Sequence, residues 1–313
     1  MAAPFNMQAR QQPESRRDFV EALEARYPGL VEKVKEYIQG GERAFTKKKA
    51  GEAGSFLWEH TLLVAGLADR IARQDGLDAD AAVLAALFHD AGKFSGGRYH
   101  EDGRPEEGAA ARFAEGAMRA AGVNASLRRR VVAALRALYG PRVDRMPLAA
   151  VVHDADFLAK AGTLGAAAFF IKSTLRGRTL LDAVRNSLSK ELTYAAALPE
   201  NMRTGAGRRL AARKARTTQS FFRGLLGELR ESQGLDLRVV RSSVPLTGRR
   251  PLDVRLALSR TCDACGGRTW RPVFSTERGV KCETLEARVE CGRCGNGFRV
   301  SFCVPEVASA ARR

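Results

Sequence analysis

The histidines and cysteines of this chain occupy separate stretches, and that partition constrains the fold more than any other feature. All four His (His60, His89, His100 and His153) precede residue 154, whereas all six Cys lie between Cys262 and Cys303. Both residue types bind metals, with different preferences, so the pattern predicts two regions of distinct chemistry. The 313 residues are enough for one large domain and one small one. With 45% hydrophobic and 28% charged residues, wholesale disorder is excluded.

Residues 15–233 read as mostly helical. His60, Val64, Leu67 and Ile71 follow the i, i+4, i+7, i+11 spacing of one helix face, and Val83, Leu87 and Asp90 repeat it before Gly92 loosens the chain. Further helices are predicted over Ala109–Ala121, Leu127–Leu138, Pro147–Leu158, Leu180–Leu198 and Thr204–Glu231, with a polar, Gly-rich loop over Gly96–Gly108. From Leu235 the texture changes to short β-leaning runs, Leu237–Arg241 and Asp253–Leu258, with Pro245, Gly248 and Pro251 between them.

Within the helical part an ordered set stands out: His60, then His89-Asp90 in ALFHDAGKF, then Asp156 in VVHDADFLAKAG. Buried imidazoles and carboxylates cost several kcal/mol unless they are paired or bound to a metal. A lone inward His is ordinarily a satisfied core residue; two imidazoles and two acids converging in a helical core point instead to a divalent cation. Mixed nitrogen and oxygen ligands suit Mn, Fe, Co, Ni or Zn better than Ca, with Mg also open. His153 reads as structural, and His100, in the polar loop, as a candidate substrate-binding residue.

These stretches, HTLLVAGLA from His60, LFHDAGKF and DADFLAKAG, resemble the HD superfamily of metal-dependent phosphohydrolases, whose mark is H…HD…D on a helical bundle. The resemblance covers roughly residues 50–230, and it is most similar to the stand-alone bacterial members because TGAGRRLAARKARTTQSFFRGLLGEL looks like their closing helix. It implies His60, His89, Asp90 and Asp156 as metal ligands, with Asp154 the alternative for the last. It also implies Asp90 and Lys93 as catalytic residues, Lys93 lying near the substrate phosphate. The reaction so implied is hydrolysis of a phosphomonoester or phosphodiester, expected to be a nucleotide's, by metal-activated water. Two-metal members carry extra histidines between HD and the final Asp. Here that stretch holds only His100, with Glu106, Glu107 and Tyr139 in the places where they are sought. A mononuclear site is the expectation, with Glu107 a candidate either to support a ligand from behind or to bind a second metal, and the HD-GYP form is disfavoured.

In the tail, Cys262-x-x-Cys265 and Cys291-x-x-Cys294 are separated by 25 residues, and each pair is followed by Gly. Thiolates two residues apart clasp one ion from a tight turn, and two such turns complete a tetrahedral site. The spacing resembles a zinc ribbon and implies one structural zinc on these four cysteines. Disulfides are the competing reading, opposed by the expected compartment: the N-terminus lacks a secretory apolar centre, and no apolar run approaches the roughly 20 residues of a membrane span. The expectation is a cytoplasmic protein without membrane contact. Cys282 and Cys303, left over, read as small buried residues.

The fold class is therefore mainly α: an HD-domain helical bundle with a small, β-rich, zinc-ribbon-like C-terminal domain. The expected order is an N-terminal helical extension (1–45), the HD domain (46–234), a linker with short strands (235–260) and the ribbon (261–313). Lys and Arg number 52 against 35 Asp and Glu, a surplus of +17 that attracts phosphorylated ligands and polyanions, although an Arg- and Ala-rich composition from a high-GC genome gives the same surplus. The tail alone carries 15 Lys/Arg against 8 Asp/Glu from Leu235 to Arg313, and Arg203–Arg230 carries eight basic residues and one acid, Glu228. Trp270, Phe274, Phe298 and Phe302 offer stacking faces to nucleic acid or form the ribbon's core, the core reading being favoured. The alternative function is a nucleic-acid- or protein-binding factor with a non-catalytic HD scaffold and a basic zinc ribbon.

Overall fold

In a computed structural model of the chain, the described residues are 18–46, 55–94, 106–232, 234–246, 250–278 and 283–304. Among them are ten α-helices and five β-strands, in two compact units, Met1–Val152 and His153–Arg313. The mainly helical class with a small C-terminal β region is as expected. Among the described residues, no helix is long and apolar enough to cross a membrane.

The first unit holds α1 (Asp18–Arg26), α2 (Leu30–Thr46), α3 (Phe56–Gln74), α4 (Ala79–Phe88), α5 (Glu106–Ala120), α6 (Ala125–Ala137) and the first half of α7 (Pro147–Ala159). Helix starts follow the local chemistry. Ser55, Asp78 and Asn124 each accept a hydrogen bond from the backbone N–H three residues on, at 3.1, 3.0 and 2.9 Å, and Pro147 takes the first helical position of α7, where no N–H is needed. From Ala81 to Phe88 every residue of α4 is buried. A helix apolar on all sides is a core axis, so the single stripe read from Val83 and Leu87 is too narrow for this element. α2 lays Leu30, Val34 and Ile38 into the same unit, so the described part of the expected N-terminal extension is built into the bundle.

The second unit continues with the rest of α7, then α8 (Gly162–Leu175), α9 (Leu180–Asn201) and α10 (Gly205–Glu231), followed by β1 (Leu237–Val244), β2 (Leu252–Ser259), β3 (Trp270–Arg278), β4 (Glu283–Cys291) and β5 (Gly297–Val304). α8 is not among the predicted helices: FFI and its small neighbours are apolar without the spacing that marks one face. Thr179 and Asp182 form a capping box at the start of α9.

Residues 235–260, expected as a linker with short strands, instead form a regular antiparallel hairpin that pairs from Leu237↔Ser259 to Val244↔Leu252. Its two faces enter two different cores. Leu237 and Ala257 join Phe169, Val184, Leu188 and Phe222 of the helices. Val254, Leu256 and Leu258 join Leu285, Val289, Val300 and Phe302 of the three-stranded sheet β3-β4-β5. On the helical side the backbone N–H groups of Arg255 and Ala257 donate to Thr193 Oγ1 and Ser189 Oγ, both at 2.9 Å. Two hydroxyls of α9 thus satisfy an edge that would otherwise stand open. The aromatic residues follow the core reading in part: Phe302 is buried, Trp270 and Phe274 are partly buried against the same cluster, and Phe298 is 39% exposed.

Candidate metal centres

His60 sits one turn into α3, and His89 and Asp90 occupy the tight turn that ends α4. All three are buried. His60 Nε2 lies 3.8 Å from Asp90 Oδ2, and His89 Nε2 lies 3.5 Å from the same oxygen. The two histidines offer ring nitrogens within 4.8 Å of each other. Donors about 2.1 Å from an ion stand roughly 3–4 Å apart, so this trio fits the coordination sphere of a divalent cation. His89 Nδ1 meets the carbonyl of Ala86 at 2.6 Å. With the proton on Nδ1, that contact presents the Nε2 lone pair towards Asp90, the outer-sphere arrangement common among metal-ligating histidines. The C-terminal end of α4 adds a partial negative charge suited to a cation.

Lys93 Nζ donates to Asp90 Oδ2 at 2.9 Å. The sequence motif therefore closes on itself: the lysine three residues after the acid orients the acid's oxygen and keeps a positive charge beside it. Gly92 between them is required by space. A Cβ there would stand 2.1 Å from the carbonyl oxygen of Glu106 and 2.9 Å from the backbone nitrogen of Ala110, so only glycine lets the turn pack against α5.

In the second unit Asp156, on the later half of α7, is 2% exposed and accepts a 2.7 Å hydrogen bond from Lys160 Nζ, one turn along the same helix. Asp154 is committed elsewhere. It accepts from the backbone N–H of Arg203 and Thr204 and from Thr204 Oγ1, all within 3.0 Å. It lies so close to Gly207 that a Cβ there would sit 2.2 Å from its oxygen. Asp154 thus ties α7 to the start of α10. His153 contacts it through Nδ1 at 3.0 Å and stacks on Phe157, which fits its structural reading.

Two titratable residues of α9 escaped sequence reasoning. Burial pushes the Glu191 carboxyl up to about 7, against the opposing charge of Lys172. Tyr194, whose hydroxyl donates to the carbonyl of Phe157 at 2.7 Å, is held well above the usual phenol range by burial, with the charges of Asp156 and Glu191 adding to it. Neither belongs to a motif. Only the contrast between a charged side chain and the apolar Leu188 and Leu192 beside it could have drawn notice. Glu107 lies in the first turn of α5. His100 and Cys282 fall outside the described residues, as does the Cys303 side chain.

The four tail cysteines come together at the ends of β3 and β4. Cys262 Sγ lies 3.7 Å from Cys294 Sγ, and Cys265 Sγ lies 3.7 Å from Cys291 Sγ. A disulfide would need about 2.05 Å. A tetrahedron with Zn–S bonds of about 2.3 Å has edges of about 3.8 Å, so the spacing suits an ion and not a bridge. The N–H groups of Gly267 and Arg293 each point at a sulfur at 3.4 Å. Chiefly the Arg293 N–H, with that of Cys294, holds the Cys291 thiol down to about 6. At Cys265 the Gly267 N–H favours the thiolate, but the Cys294 sulfur, burial and the Cys291 sulfur outweigh it and push the thiol up to about 12. Gly266 and Gly295, one residue past each pair, have φ of 69° and 73°, the left-handed conformation that a tight knuckle needs and glycine adopts without strain.

A family model, HD domain, matches residues 57–160. His60, His89, Asp90 and Asp156 all fall within the matched stretch. No curated protein matches the chain. Among solved structures the chain is similar to a predicted HD superfamily hydrolase from an uncultured Thermotogales bacterium, at 22% identity and TM-score 0.46, over 67% of this chain and 98% of that one. It is also similar to an HD-superfamily hydrolase from Bacillus thuringiensis, at 20% identity and TM-score 0.46, over 64% and 98%. A third is YpgQ from Bacillus subtilis, at 20% identity and TM-score 0.45, over 64% and 95%.

Proposed function

We propose that this protein is a metal-dependent phosphohydrolase of the HD type, with His60, His89, Asp90 and Asp156 holding one divalent cation. The observation that carries the reading is the approach of two imidazole nitrogens to one Asp90 oxygen inside an apolar core. His60 and His89, besides, offer ring nitrogens within 4.8 Å of each other, and Asp156 is a buried acid. A divalent ion supplied to such ligands lowers the pKa of a bound water and polarises a phosphoryl oxygen.

The chain's own groups do the rest. His89, fixed by Ala86, keeps its lone pair presented. Asp90 accepts the Lys93 ammonium, and that positive charge offsets the negative charge that builds on a phosphate in the transition state. The substrate is read as a phosphomonoester or phosphodiester of a nucleotide. The four-cysteine cluster is read as a structural zinc site, and an HD domain within 46–234 with the ribbon (261–313) as an accessory module is part of the same proposal.

The test is turnover. Protein supplied with Mn²⁺, Co²⁺, Ni²⁺ or Mg²⁺ is expected to hydrolyse a nucleotide or bis(p-nitrophenyl) phosphate, and Asp90→Ala to abolish it. The absence of metal-dependent turnover across a nucleotide panel, or turnover untouched by Asp90→Ala, defeats the proposal.

A further inference from the structure

In the second unit a cavity of about 370 Å³ opens between α9, α10 and the β1–β2 hairpin. Its floor is apolar, with Phe222, Leu226 and Leu237. Its walls carry five arginines: Arg223, Arg230, Arg238, Arg255 and Arg260. Such a concentration is costly, because like charges repel. Two of the five have carboxylate partners: Arg255 donates to Asp253 at 3.1 Å and Arg260 to Asp236 at 2.9 Å. Among the described residues Arg223, Arg230 and Arg238 have none.

The donors are also incompletely used. Arg238 is anchored through one terminal nitrogen to the carbonyl of Arg268 at 2.9 Å, and Arg255 through one to Asp253. The Nε atoms of both are buried and lack a hydrogen-bond partner. A buried donor left unmade costs about 1–3 kcal/mol, and more on a charged group. On α10, Gln219, Arg223, Leu226 and Arg230 recur at helical spacing and bring charge and apolar surface to one wall, with Gly227 leaving room between them.

We propose that this cavity binds a small polyanion, a molecule with two or more phosphate groups joined to an apolar or planar moiety, of which a nucleoside diphosphate is the simplest case. Guanidinium groups match phosphate oxygens in paired hydrogen bonds, and the Phe222–Leu226–Leu237 floor takes the apolar part. The volume is that of a small-molecule site, and a concave pocket rather than a flat basic face selects such a ligand over a nucleic-acid strand. The inference does not depend on the hydrolase proposal, because every lining residue lies on α9, α10, β1, β2 or the residue just after β2.

Titration calorimetry on the full-length protein at low salt tests it, with ADP, inorganic pyrophosphate and a single-stranded dodecanucleotide as probes. ADP is expected to bind at micromolar concentration and more tightly than pyrophosphate. Arg223→Glu combined with Arg230→Glu, both exposed and without carboxylate partners among the described residues, should weaken ADP at least tenfold. The inference is overturned if neither small probe binds below millimolar concentration, or if the double arginine variant binds ADP as the parent does. A dodecanucleotide that binds more tightly than ADP overturns it equally.

Discussion

The two candidate metal centres differ in what surrounds them. The His60–His89–Asp90 trio lies in a bundle whose central helix is apolar on every side, so the fold there has its own reason to exist without an ion. The four-cysteine cluster closes the end of a three-stranded sheet whose buried residues amount to a few side chains shared with the hairpin. On the proposed reading, an ion in the first place would have chemistry to do and an ion in the second a fold to hold. The residue types fit that proposal, imidazole and carboxylate being the usual donors where bound water exchanges and four thiolates the usual set where it does not.

Removing ligands from each centre should separate the two roles. The largest effect is expected from Cys291→Ser. Structural zinc sites of this kind contribute about 10 kcal/mol or more to folding, so the amides of β3, β4 and β5 should lose protection in hydrogen exchange while helical circular dichroism persists. Continued protection of those strands after removal of the metal would end the contrast. Next, Asp90→Ala should cost at least about 10³-fold in turnover, or about 4 kcal/mol of transition-state stabilisation, with a change in melting temperature of only a few degrees. A collapse in stability would mean that the helical site is structural too.

Asp154→Ala sharpens the comparison from the opposite side, because it removes an acid two residues from Asp156 whose oxygens are engaged at the start of α10. The N–H groups of Arg203 and Thr204 and the Thr204 hydroxyl would lose their acceptor, at about 3 kcal/mol in urea denaturation.

The smallest effect concerns pH. Glu191 is raised by burial from the usual carboxylate range to about 7. Below about pH 4 both folded and unfolded chains keep the proton and no cost arises. As pH climbs to about 7 the unfolded chain ionises first and stability falls, levelling off above that. Glu191→Gln should therefore flatten the stability profile between about pH 4.5 and 7 and stabilise the protein by about 2 kcal/mol at about pH 8. A profile unchanged by the substitution would show that the carboxyl is well solvated.

Much of this was legible in the chain. The segregation of His from Cys, the order of the HD stretch and the spacing of the Cys pairs are local patterns, and local patterns are what a sequence records. The helices predicted over Leu127–Leu138, Pro147–Leu158 and Thr204–Glu231 end within a residue or two of α6, α7 and α10, because caps and hydrophobic spacing act over one or two turns. α8 stayed hidden because apolar residues also occupy its exposed side, with Leu164, Ile171 and Leu175 all more than half exposed, so the sequence shows no contrast between faces.

The hairpin shows the other limit. Residues 235–260 read as a linker because prolines and short runs carry no mark of what lies across space, and only packing decided that one strand face would meet Phe222 and the other Phe302. The same holds for what Asp154 does beside Asp156. Two acids two residues apart look alike in sequence, and the start of α10, some fifty residues away, claims one of them for its backbone N–H groups. Which residue types were present, and in what order, determined the chemistry open to this protein. Which of those groups were already satisfied by distant backbone, and which arginines were crowded into one cavity, only the tertiary structure decided, because hydrogen bonds and charge repulsion depend on distance in space rather than along the chain.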